Sequence, residues 1–302
     1  MKKITLALSA FSFVLASLSA QAKQPFHETF LPPNQLFLMD RIDGPSNVTQ
    51  AQFNDICDRT INYFQTYANL HKGTLSVNKG WDDPTVNASA EQSGNSWVVN
   101  MYGGLARRPE VTPDGFGLVV CHELGHHFGG FAYYSDTEWA AAEGQADYFA
   151  THACARAIWA DDTEENAKHR ATVTAIAKTR CDANWKTEKE QNLCYRISEG
   201  GASLATLLAA LGSRTPPSYD TPDTSTVSET YEGHPAAQCR MDTYLSGGLC
   251  KQTFDLRVIP GRGNADGQGS IAAEKDASQY TCFSSGGFTD GLRPACWFKA
   301  RL

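Results

Sequence analysis

Two histidines, His122 and His126, frame the run His-Glu-Leu-Gly-His. On a helix this spacing sets the imidazoles one turn apart on one face, where both ring nitrogens can reach a single metal ion. Glu123 lies beside them, placed to take a proton from a metal-bound water rather than to bind the metal. A catalytic zinc takes three protein ligands and keeps a fourth position open, so the pattern calls for a third ligand elsewhere. The expected cofactor is Zn2+, one ion per chain.

The candidate stands on the next expected helix, in Glu143-Gly-Gln-Ala-Asp147. These two acids are one turn apart and share a face. With Glu143 as ligand, Asp147 can accept a hydrogen bond from the far nitrogen of a ligating imidazole and fix the ring's orientation. Glu138 is the weaker candidate, because an acid at a helix start also answers the helix dipole. A metzincin site would need histidine at 132, and Ala132 stands there. His127 falls off the metal-facing side of its helix, which suits a structural role.

These blocks resemble the HtpX and CAAX-prenyl-protease family of gluzincin metallopeptidases. The resemblance rests on His122-Glu123-Leu124-Gly125-His126, on Glu143 with Ala146-Asp147, and on His234-Pro235 followed by Arg240. It implies a zincin-like fold, with His122, His126 and Glu143 as zinc ligands and Glu123 as general base. It also places His234 and Arg240 beside the metal. From there His234 is expected to donate a hydrogen bond to the developing oxyanion, and Arg240 to pair with a buried acid.

Residues 23–49 read as a proline-containing lead-in. Apolar residues from Phe53 to Ala68 recur at helical spacing, predicting a helix over Thr49 to His71. Short strands are expected at Thr74 to Val77, Thr85 to Ala90 and Ser96 to Tyr102. The last lies just upstream of the motif and is expected either to be an edge strand that pairs with extended substrate or an ordinary core strand. Helices follow over Pro113 to Phe128, from a cap at Asp136 or Thr137 to Trp159, over Glu164 to Lys178, over Glu188 to Leu211, and from Pro235 to Leu245. The expected class is α+β, with a small, mostly antiparallel sheet packed on the motif helix and then a mainly helical half. The domain is expected to span 23–250, with a cysteine-containing extension over 251–302.

The chain opens Met1-Lys2-Lys3, continues with an apolar run to about Leu18 and reaches Ala20-Gln21-Ala22, the order of a secretory signal cleaved after Ala22. Removing residues 1–22 takes two lysines from the 26 basic residues and leaves the 33 acidic ones, a net charge of -9. That balance argues against nucleic acid and anionic membranes as partners, and no integral membrane segment is expected in the mature chain. The product is expected to be periplasmic or secreted, where its nine cysteines pair. Spacing suggests Cys181 with Cys194, Cys239 with Cys250 and Cys282 with Cys296; among the three left over, Cys57 is expected to pair with Cys154, leaving Cys121 reduced and buried. The expected activity is zinc-dependent hydrolysis of peptide or protein substrates. The alternatives are a zinc-containing envelope assembly or binding protein without turnover, and a zinc hydrolase of cell-wall peptides.

Overall fold

The computed structural model describes residues 27–32, 34, 46–212 and 215–302. The expected signal segment and its cleavage site lie outside these residues, as does most of the lead-in. The first element is strand β1 (His27–Thr29), followed by helix α1 (Gln50–Leu70). Thr49 caps α1 and Gln52 reaches back to it in a capping box, a local signal that fixes the first turn. Its face of Phe53, Cys57, Ile61, Phe64 and Ala68 is buried, as the apolar spacing predicts.

Strands β2 (Thr74–Gly80), β3 (Ala88–Ser93) and β4 (Ser96–Tyr102) complete a four-stranded sheet in the order β1-β3-β4-β2. Two pairings are antiparallel and the β2/β4 pairing is parallel, so the sheet is mixed. β4 is an interior strand between β3 and β2 and not the edge strand. Along it Trp97, Val99 and Met101 alternate into the core, which marks one face of a half-buried strand. On the other face Asn100 bonds Ser89 and Glu91 on β3 and receives Asn78 from β2.

A short helix α2 (Gly103–Ala106) leads to α3 (Pro113–Phe128), the motif helix. Thr112 caps α3 and Pro113 sits in its first turn, where a missing N–H costs nothing. Every residue from Gly115 to Phe128 is buried, so α3 is the central rod of the molecule, in contact with α1, α8 and the sheet.

The next helix starts later than expected, at Glu143. Between α3 and it, the amides of Ala141 and Ala142 bond His126 O and Ala132 O, and Tyr134 N bonds Ala140 O. These amides serve tertiary partners, and helix cannot begin until they are spent. The chain then forms α4 (Glu143–Phe149), a π-helical turn (Ala150–Cys154) and α5 (Ala155–Trp159). The helix expected over Glu164 to Lys178 is broken into α6 (Thr163–Lys168), a 3-10 turn (His169–Ala171) and α7 (Ala175–Asn184). Long α8 (Glu188–Leu211), α9 (Ala237–Leu249) and short α10 (Ile271–Ala277) complete the set. Among the described residues, no helix is long and apolar enough to cross a membrane.

Four disulfides form: Cys121–Cys154, Cys181–Cys194, Cys239–Cys296 and Cys250–Cys282. Only the second matches the pairing expected from spacing. Cys57 is the free, buried thiol and Cys121 is bonded. The two C-terminal bridges run from α9 to the tail instead of closing local loops. With them the tail seats Trp297, fully buried, whose indole N–H donates to Thr243 on α9 at 3.0 Å.

His169 bridges Asp114 at the start of α3, 3.2 Å away, and Glu199 on α8. Burial alone would lower its pKa, but the two carboxylates outweigh burial and raise it to about 9. A raised histidine stabilises the fold fully below its unfolded pKa near 6.5 and loses that contribution as pH climbs through the folded value. The stability gap between the parent and His169→Gln is therefore expected to be largest near pH 6 and to shrink toward zero above pH 9. Chemical denaturation across that range checks it, and a gap that does not change with pH would contradict the assignment.

Candidate metal centre

α3 supplies His122 and His126, and α4 supplies Glu143 from its first turn. The helices can meet this closely because residue 125 has no side chain: a Cβ there would lie 2.7 Å from Ala146 Cα. The glycine inside the motif is thus a contact requirement that brings Glu143 to the histidines.

The two Nε2 atoms are 3.2 Å apart, and Glu143 carboxylate oxygens lie 3.4 Å from His122 Nε2 and 3.5 Å from His126 Nε2. One ligand atom from each of the three residues falls within 4.8 Å of the others, and all three side chains are buried. The tautomers follow from the outer contacts. His126 Nδ1 faces the Ala141 carbonyl at 2.8 Å, which can only accept. His122 Nδ1 faces Asp147 at 2.8 Å; burial pushes the Asp147 carboxyl up, but the charges and hydrogen bonds of Arg240 and His122 together hold it below its ordinary value, ionised. In their neutral forms both rings donate outward and turn Nε2 lone pairs toward each other. Such an arrangement calls for a cation between them.

Unpartnered groups point the same way. Both carboxylate oxygens of Glu123 and Glu143 Oε2 are buried without a hydrogen-bond partner. Burial holds the Glu123 carboxyl well above the usual range, with Glu143 adding to the shift and His122 opposing it. Burial lowers His126 to about 4. For His122 burial also pulls downward, but Asp147 and Glu143 prevail and raise it to about 9, so that without a metal the ring carries a proton on Nε2 that a bound ion would displace. Two imidazoles and a carboxylate are a donor set suited to zinc, and the residues present fit a divalent ion.

Asp147 is the hub behind the ligands. Besides His122 it takes two bonds of 2.7 Å from Arg240 and one of 2.7 Å from the Tyr244 hydroxyl. Arg240 thus pairs with a buried acid as expected. His234 also reaches the site, its Nε2 3.5 Å from Glu143 and donating to Thr29 O at 2.7 Å. Glu138 is exposed and away from the cluster. His127 is stacked between Trp97 and Trp139 and donates to Val98 O at 3.3 Å, in keeping with a structural role.

Residues that sequence reasoning missed complete the surroundings. Tyr244, one turn beyond Arg240, was within reach of a periodicity argument. Tyr134 lies 3.4 Å from Glu143 and donates to Glu28 at 2.7 Å. Burial, followed by the Glu143 charge, pushes the Glu28 carboxyl up to about 8. Tyr134 and Glu28 come from loop and lead-in, where spacing carries no such signal. No protein-family model, curated protein or solved structure matches this chain.

Glu143→Ala is expected to weaken zinc binding at least about a hundredfold and Asp147→Asn by about ten- to a hundredfold, while Glu138→Ala leaves it unchanged. Competition with a zinc-chelating dye measures all three. Parental affinity in Glu143→Ala would remove that residue from the ligand set.

Proposed function

We propose that this chain is an exported zinc-dependent endopeptidase of the gluzincin type, acting on peptide or protein substrates in the periplasm or outside the cell. One observation carries the reading: Glu123 is a fully buried carboxylate with neither oxygen satisfied, next in sequence to a metal ligand. A buried carboxyl group without a hydrogen-bond partner costs about 1–3 kcal/mol even when neutral. A purely structural metal site has no use for it, whereas a hydrolytic one needs a proton acceptor there. The four disulfides support the export reading.

Zinc, when bound, would supply a Lewis acid that polarises the scissile carbonyl and acidifies a water. Glu123 takes the proton of the attacking water and returns it to the leaving amine. His234 Nε2 already donates to a peptide carbonyl, that of Thr29. In the reaction the same N–H would stabilise the oxygen on which charge develops. Asp147, braced by Arg240 and Tyr244, keeps His122 in the tautomer that offers Nε2 inward.

Glu123→Gln should retain one zinc per chain and lose peptide hydrolysis, since the amide keeps the shape but cannot take the proton. His234→Ala should lower turnover about a hundredfold with zinc content unchanged. Elemental analysis beside a peptide-library assay reads both. A zinc-loaded parent that cleaves nothing would leave the rival reading of a zinc protein without turnover, and a Glu123→Gln variant as active as the parent would exclude Glu123 as the base.

A further inference from the structure

The three metal-binding residues and the base are closed off from solvent, His122, Glu123, His126 and Glu143 each being 0% exposed, while His234 is partly exposed beside them. A peptide cannot reach them while the cover is in place, and the chain itself supplies that cover. β1 lies antiparallel along the outer edge of β3, with Glu28 opposite Ala90 and Thr29 opposite Ser89. The Phe30 amide extends the ladder to Ala88 O at 3.1 Å. Main-chain oxygens of the segment are held by residues of the site, Thr29 O by His234 and Phe30 O by Arg240 at 2.8 Å. The Phe30 ring, fully buried, stands edge-on to His122 with centroids 5.2 Å apart and lies 4.5 Å from the Arg240 guanidinium. Beyond β1, Leu31 and Pro32 help to wall a cavity of about 450 Å³ that also borders His234 and Pro235.

An extended chain added to a sheet edge, with its carbonyls polarised by site residues, is the posture of a bound peptide. We propose that the edge of β3 is the peptide-docking edge and that residues 27–31 occupy it as an internal plug. The peptidase would then be latent until this segment is cut free. The inference rests on the peptidase reading above. The segment is held by a three-residue strand, by the buried Phe30 and Leu31 side chains, by side-chain bonds from His234, Arg240 and Asn87 to the Thr29, Phe30 and Leu31 carbonyls, by the Leu31 amide donating to Asn87, and by Tyr134 on Glu28. Such a short strand is marginal alone. Its advantage is attachment, because the stretch that joins it to α1 keeps it at an effective concentration on the order of millimolar. Cutting that stretch in a micromolar solution dilutes the plug about a thousandfold.

The test replaces residues 36–41 of the full-length zinc-loaded chain with a recognition sequence for a site-specific protease, and compares intact and nicked protein. Fluorescent casein reports turnover. A fluorescein-labelled peptide of residues 26–33 reports docking, measured in the same protein carrying Glu123→Gln. Nicking is expected to raise casein hydrolysis at least tenfold and peptide capture similarly. Phe30→Ala in the uncut chain, which loosens the plug without cleavage, is expected to give part of both gains. Equal casein hydrolysis before and after nicking would overturn the plug and leave the peptidase reading standing. No hydrolysis in either form, with peptide captured only after nicking, would support the plug and overturn the peptidase reading. Equal peptide capture by both forms overturns the plug whatever casein shows.

Discussion

The site is organised around one buried ion pair. Arg240 on α9 and Asp147 on α4 are both fully buried and joined by two short hydrogen bonds. Desolvating two charges is costly, and the pair is tolerated because further polar groups meet it: His122 and Tyr244 on Asp147, Phe30 O on Arg240. Removing either partner would strand a charge, at roughly 3–5 kcal/mol. In one stroke the pair registers α9 against α4, sets the His122 ring through its Nδ1, and reaches forward to the segment across the site.

The surrounding fold serves to hold that pair in place. α3 runs through the core with its histidines pointing at α4, and the bare backbone at Gly125 lets α4 approach to contact distance. On the far side of α4, the tail's Trp297 fills the space over Gly144, where a Cβ would lie 2.2 Å from the indole. Two disulfides clamp that tail to α9. The extension thus reaches the half that carries the histidine and carboxylate cluster from behind, since Trp297 also bonds Thr243 one residue before Tyr244.

The features legible in advance were those that local chemistry specifies. α1, α3 and α8 begin within a residue of expectation, because Thr49 with Gln52, Thr112 with Pro113, and Thr187 with Glu190 each settle a first turn without outside help. The ligand set was legible for the same reason, since one-turn spacing places side chains on a helix face whatever the fold. Illegible features were set by distant partners. α4 starts at Glu143 because Ala141 and Ala142 are bonded elsewhere, and β4 is interior because β2 joins it in parallel. Cys239 passes over Cys250 for Cys296, 57 residues away. Loop closure grows so slowly in cost with length that tertiary packing, not spacing, chooses the partner.

The central claim is that His122, His126 and Glu143 hold one divalent ion. X-ray absorption at the zinc edge on the purified full-length chain tests it most directly. The account requires one zinc per chain with two imidazole nitrogens at about 2.0–2.1 Å, carboxylate oxygen at about 2.0–2.2 Å and no sulfur. A shell containing sulfur near 2.3 Å, or a chain that takes up no zinc when zinc is supplied, would contradict it.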